Sequence, residues 1–113
     1  MKNIIQYLDF ENIDIRLGTI ISAEENNNLN KPSIVLKIDF GPKIGIKKSS
    51  AQLKANYKVV NLINKQIIAV VNFEPKQIGK TISEVLVLGL PNENNEPILV
   101  SPDKKLKNGI KLY

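Results

Sequence analysis

The sequence predicts an all-β barrel of five or six short strands, with one short helix between the third and fourth and brief N- and C-terminal extensions. Three observations carry that prediction. Apolar and polar residues alternate with period two over residues 13–21 and 33–40, as in strands with one buried face. Turn chemistry recurs at short intervals, at Gly41-Pro42, at Pro75 and Gly79, and over residues 92–97, where the chain must reverse. Between these, Leu53, Tyr57, Val60 and Ile63 stand four, three and three residues apart, a helical spacing.

In chain order, Asp9-Phe10-Glu11-Asn12 reads as one short capped turn with Phe10 packed under the barrel. The first strand is expected to hold Ile13, Ile15, Leu17 and Ile21 on one face and Asp14, Arg16 and Gly18 on the other. Residues 24–31 lack periodicity, include Asn26-Asn27-Asn28 and precede Pro32, so an exposed loop is expected. The second strand points Ile34, Leu36, Ile38 and Phe40 one way and Lys37 and Asp39 the other. After Gly41-Pro42, Ile44-Gly45-Ile46-Lys47 returns as its antiparallel neighbour. Residues 52–64 supply the helical connection. The Ile- and Val-rich runs 66–73 and 81–90 fit strands buried on both sides or at a subunit interface, and residues 98–100 form a shorter strand. Ser101-Pro102-Asp103 has the grammar of a helix start, which Asn108-Gly109 stops within two turns.

Short strands of this number, with a helix between the third and fourth, define a barrel of the OB-fold type. An SH3-like barrel normally lacks that helix. Closure removes the sheet edges that invite aggregation, and strands buried on two faces in so small a chain favour dimerisation. At 113 residues the chain has the length of one domain, 1–113.

Composition narrows the function. Hydrophobic residues are 42% and charged residues 24%, an ordinary globular balance. The longest apolar runs fall well short of the roughly 20 residues that cross a bilayer, so no membrane insertion is expected. The start MKNIIQYLDFE lacks a signal-peptide apolar region, and a cytoplasmic location is expected. The chain has no cysteine and no histidine, which removes thiolate chemistry, the commonest metal ligand and the commonest neutral-pH base. The formal charge is +5, which favours an anionic partner if the charges share a face. Arg16 is the only arginine among sixteen basic residues. A planar fork is what arginine supplies that lysine does not, and an ion pair with Asp14 or Asp39 is the other use open to it.

No catalytic constellation emerges. Ser101-Pro102-Asp103-Lys104 has S-x-x-K spacing but stands on a charged tail, where a solvated lysine stays protonated and Ser101 serves as a cap. The carboxylates are scattered, and the glycines form neither G-x-G-x-x-G nor a P-loop. A non-enzymatic protein without cofactor or metal is expected. RNA binding has better material. Lys47-Lys48-Ser49-Ser50-Ala51-Gln52 sets two cations beside hydroxyls and an amide, groups that contact phosphate, 2′-OH and base edges. Lys37 and Arg16 add charge on the polar faces of adjacent strands. The loop Phe73-Glu74-Pro75-Lys76-Gln77-Ile78-Gly79-Lys80 adds two more lysines on a constrained backbone. Read alone, the lysine-serine segment also suits a solvated turn. Tyr7, Tyr57 and Tyr113 are the rings expected to be exposed, while Phe10, Phe40 and Phe73 are expected to be packed.

Several motifs carry a family resemblance when taken together. They are Asp9-Phe10-Glu11, Asp14-Ile15-Arg16-Leu17-Gly18-Thr19-Ile20, Ile38-Asp39-Phe40-Gly41 and Ile44 through Gln52; then Val70 through Gly79, Ser83-Glu84-Val85-Leu86-Val87-Leu88-Gly89, Ser101-Pro102-Asp103 and Asn108-Gly109. In this order they closely resemble the CsaA family of tRNA-binding OB domains, described also as export-related chaperones, whose domain occurs appended to aminoacyl-tRNA synthetases. The resemblance implies a homodimer that binds tRNA, with unfolded or export-bound polypeptides as a competing partner class. It implies RNA contacts at Arg16, Lys37, Lys47, Ser49, Ser50, Gln52, Asn72, Lys76 and Ser83. Asn72 and Ser83 have a structural alternative near the barrel mouth. Lys48, which the residue reading adds to this set, stands where the family often has glutamine, and the Asn-rich loop around Asn27 is a second departure.

Overall fold

The computed structural model describes residues 1–26 and 32–113. In order the elements are α1 (Tyr7–Glu11), β1 (Ile15–Asn26), β2 (Ser33–Asp39), β3 (Ile46–Ala51), α2 (Val59–Leu62), β4 (Gln66–Val70), β5 (Lys76–Ile78), β6 (Thr81–Ser83), β7 (Leu86–Val87), β8 (Gly89–Pro91) and β9 (Pro97–Leu99). Five of the strands form one antiparallel sheet in the order β3-β2-β1-β4-β7, and β5-β6 and β8-β9 are separate hairpins. The sheet curls into an OB-like barrel, with the small helix α2 between β3 and β4 as expected. Its seam is laced where Glu84 N–H donates to Lys48 O (2.8 Å) and Ser50 N–H to Ser83 Oγ (3.1 Å).

Alternation places β2 as the sequence predicts. Ile34, Leu36, Ile38 and Phe40 are all buried, and they join Ile20, Leu53, Leu62, Ile67 and Val85 in the core. The other strands depart from expectation for identifiable reasons. In β1 the barrel interior lies on the Gly18 and Ile20 side, since a Cβ on Gly18 would stand 2.6 Å from Ile38 Cγ2 and 2.8 Å from the Phe40 ring. Glycine there makes room for two large core side chains. The register shifts between Ile20 and Ser22, and a bulge of this kind re-aims the side chains beside it, so Ile21 is exposed where the sequence pattern grouped it with Leu17. Leu17 and Val70 are buried outside the main core, on the opposite face.

Of the loop expected at 24–31, residues 24–26 instead extend β1 and pair with 33–35 of β2; the remainder lies outside the described residues. The third strand starts at Ile46 and runs to Ala51, so the lysine-serine segment is strand and not turn. The helical connection contains a single turn, α2, which buries Leu62; Leu53, in the segment before it, is buried as the spacing predicts, whereas Val60 and Ile63 are exposed. The run 81–90 is divided among β6, β7 and β8, with Ile82, Leu86 and Leu90 exposed, so it is not buried on both sides in the single chain.

The tail forms no helix. Its Leu106 exchanges two hydrogen bonds with the Gln66 side chain (2.7 and 3.0 Å), and Gly109 N–H donates to Leu17 O, Leu17 N–H to Ile110 O and Leu112 N–H to Ile15 O. The segment thus borders the first half of β1 as an added strand would.

Candidate nucleic-acid interface

β3 presents different residues to two sides. Ser49 stands opposite Leu36 and is buried, whereas Lys48 stands opposite Lys37, which in turn faces Ser22 of β1. Side chains directly opposed on one sheet face lie close together, and like charges there repel. Both ammonium groups nevertheless stay exposed, and neither has a carboxylate at ion-pair distance among the described residues. Lys80, from the turn between β5 and β6, lines the same groove of about 700 Å³.

Three carboxylates share this groove, and two of them are committed elsewhere. Glu25 pairs with Lys54 at 3.5 Å. Glu84 accepts the Lys48 backbone N–H at 3.0 Å and stands 4.0 Å from Lys47 Nζ. Among the described residues Glu24 is the uncommitted one. The neighbouring lysines of β3 therefore differ in kind: Lys47 is ion-paired at the seam, and Lys48 is free to meet an anion.

On the other side of β3 lies a cleft of about 730 Å³, lined by Ser49, Ser50, Gln52, Lys76 and Ser83 together with apolar residues. Ser83 is buried, with its hydroxyl accepting from Ser50 N–H and donating to Val85 O at 3.4 Å; Ser50 Oγ donates to Ser33 Oγ at 3.3 Å. Gln52 and Lys76 are exposed at the rim. Phe73, expected to be packed, is 56% exposed there, because β4 ends at Val70 and releases the chain outward. Tyr57, expected to be exposed, is half-buried and accepts Leu99 N–H on its hydroxyl.

Arg16 and Asn72 belong to neither opening. Arg16 donates to Asp14 Oδ1 (2.7 Å) and to Gly109 O (3.0 Å). Asn72 accepts Asp14 N–H (3.0 Å) and donates to Asn12 O (2.8 Å). Together they tie α1 and the tail to the start of β1. Of the ten residues picked out from the sequence, five meet at the cleft, Lys37 and Lys48 meet in the groove, Lys47 marks the seam and two hold the termini.

A third opening, of about 780 Å³, contains Lys65, Lys104, Lys105 and Asp103. Sequence pattern alone passes over these lysines because the KKLK run looks like a solvated tail; the Gln66 anchor, with the bonds of Asn108 and Gly109 to β1, brings them to the sheet, and spacing does not reveal these contacts. Among the described residues no group of His, Cys, Asp or Glu is placed to hold a metal ion, and no helix is long and apolar enough to cross a membrane.

Known proteins resemble this chain over nearly its whole length. Residues 15–111 match the model of the tRNA binding domain family. A methionine–tRNA ligase of Pyrococcus horikoshii is 35% identical over 108 residues, which are 96% of this chain and 14% of the ligase, so the chain spans about one seventh of that relative. Among solved structures, the chaperone CsaA of Bacillus anthracis matches with a TM-score of 0.92 and 43% identity, covering 98% of this chain and 100% of that one. The CsaA chaperone protein of Picrophilus torridus matches with a TM-score of 0.89 and 50% identity, covering 97% and 100%. A fitted domain model over most of the chain, joined to these full-length likenesses, means that the chain belongs to the tRNA binding domain family and is CsaA-like within it.

Proposed function

We propose that this protein is a non-catalytic, cytoplasmic tRNA-binding protein that acts as a homodimer and reads the RNA mainly through its phosphate backbone. The opposed pair Lys37 and Lys48 carries the reading. Two unneutralised cations on adjacent strands repel each other, and an anion between them removes that cost. Lys80 adds a third positive group to the same groove. Beside it, Ser50, Gln52 and Lys76 offer hydroxyl, amide and ammonium groups to a 2′-OH or base edge. Ser49 and Ser83 support this surface from beneath, and Lys47 sets the seam.

Filter-binding of tRNA across a salt series tests the proposal. The Lys37→Ala/Lys48→Ala double variant is expected to weaken binding and to flatten the log Kd against log salt slope by about 1.5–2, near 0.9 per lost phosphate contact. A double variant that binds as the parent does, or a parent that does not bind tRNA, sinks it.

A second reading has its own observation. The cleft is mostly apolar, and Phe73 and Leu86 at its border are half exposed, a surface that also suits an unfolded or export-bound polypeptide. On that reading the protein suppresses aggregation of a denatured client even with tRNA in excess. Loss of suppression on adding tRNA would make the two ligands competitors for one surface.

A further inference from the structure

We propose that the groove formed with the C-terminal segment, containing Lys65, Lys104 and Lys105, is a second seat for RNA phosphates that continues the Lys37–Lys48–Lys80 groove along the outer face of β1 and β2. This rests on the proposed RNA binding and extends its footprint to residues that neither motif nor family match assigns.

The two grooves adjoin. On β2, Lys37 lines one and Asp39 the other, two residues apart on the face opposite the buried Leu36, Ile38 and Phe40, hence about 7 Å from each other along the strand. On β1 the border falls between Ile21 and Ser22, within the bulge. An extended polyanion lying on this face meets both grooves without leaving the sheet.

The tail lysines are held in place. Leu106, next to Lys105, is fixed by two hydrogen bonds to Gln66, and Thr19 Oγ1 donates to Asn108 Oδ1 at 2.6 Å. A fixed backbone lowers the entropic cost of presenting a lysine to a ligand. Among the described residues, Lys65, Lys104 and Lys105 have no carboxylate at ion-pair distance. Of the two acids in this groove, Asp39 accepts Gly41 N–H at 2.8 Å, and Asp103 remains. Three ammonium groups thus face two carboxylates, neither of them ion-paired among the described residues, which leaves this groove a formal excess of one positive charge beside the groove of Lys37, Lys48 and Lys80. A double-stranded or folded RNA, whose phosphates run in continuous rows, fits such a track.

The test compares Lys65→Ala/Lys104→Ala/Lys105→Ala with Lys37→Ala/Lys48→Ala and the parent, using tRNA and a salt series. The triple variant is expected to raise Kd at least about tenfold near 0.15 M salt and to reduce the salt slope by about 2–3, as for three lost phosphate contacts. The corresponding Lys→Arg triple variant is expected to restore both. If the triple variant binds as the parent does while the double variant is weakened, the second seat is wrong and the first groove stands. If neither variant differs from the parent, both assignments fall.

Acetylation footprinting uses the parent alone and so does not depend on how the variants fold. Bound tRNA is expected to protect Lys104 and Lys105 along with Lys37 and Lys48. Unchanged modification of Lys104 and Lys105 under saturating tRNA overturns the second seat.

Discussion

Adjacent residues of one strand carry different tasks here, and partners far away in sequence decide which. Lys47 is drawn to Glu84 at the barrel seam, while Lys48 is opposed by Lys37 and has no carboxylate at ion-pair distance among the described residues. Asn72 shows the same dependence on distant partners. Its side chain satisfies one backbone donor and one backbone acceptor, on Asp14 and Asn12, and so is occupied with structure. Asn72→Ala is therefore expected to lower unfolding stability by about 1 kcal/mol while leaving tRNA affinity within about twofold, as urea unfolding and filter-binding would read. A large loss of affinity at unchanged stability would return Asn72 to the RNA contacts. Glu24 acts in the opposite sense, as the uncommitted carboxylate in the first groove. Glu24→Gln is expected to tighten tRNA binding severalfold at low salt and much less at high salt, since screening weakens an exposed repulsion. Equal affinity at both salt concentrations would take the groove off the path of the RNA.

Among the elements, the tail depends on β1 and the β2 turn for its place. Gly109 has φ +91°, a left-handed conformation that side chains disfavour, and a Cβ there would stand 2.6 Å from Phe40 O. Gly109→Ala is expected to loosen the segment without unfolding the barrel. Hydrogen exchange would show faster exchange of the Leu17 and Leu112 amides, whose acceptors lie across this junction, with the Leu36 and Ile38 amides still protected. Uniformly faster exchange would mean that the tail is part of the cooperative core. How legible an element is in the sequence depends on its neighbours. β2 pairs residue for residue with β3, and the extra residue of the β1–β2 bulge falls on β1, so the alternation of β2 itself is clean. The bulge in β1 breaks the alternation, and the run 81–90 changes partners from β5 to β4 to β9 within ten residues; periodicity cannot register either event.

For the whole molecule, the N-terminal segment is unsatisfied in a single chain. Ile4, Ile5, Tyr7 and Leu8 are each more than 60% exposed, and α1 buries none of its residues. Isolated helices this short are not stable in water, and a second copy packed over the segment would supply the missing apolar contact. Sedimentation of the parent is expected to give a dimer at micromolar concentration, and Ile4→Ser/Ile5→Ser/Leu8→Ser is expected to shift it toward monomer. A parent that sediments as a monomer would refute the homodimer; a triple variant that stays dimeric would move the interface to the apolar surface of 82–98. Dimerisation would also double the phosphate-binding surface, raising the avidity for a ligand long enough to reach both copies.

Residue spacing and composition were enough for the all-β class, the β2–β3 hairpin and its turn, the helix before β4, and the lack of any histidine or cysteine on which common catalytic or metal chemistry depends. These are local or compositional properties, written in spacing and residue type. Which side of β1 faces the core was settled only by packing, through the void that Gly18 leaves for Ile38 and Phe40. Packing also settled which lysines are free to meet an anion, and it brought Lys104 and Lys105 to the sheet through Gln66. Steric fit and charge pairing depend on distances between residues remote in the chain, and a one-dimensional pattern does not contain those distances.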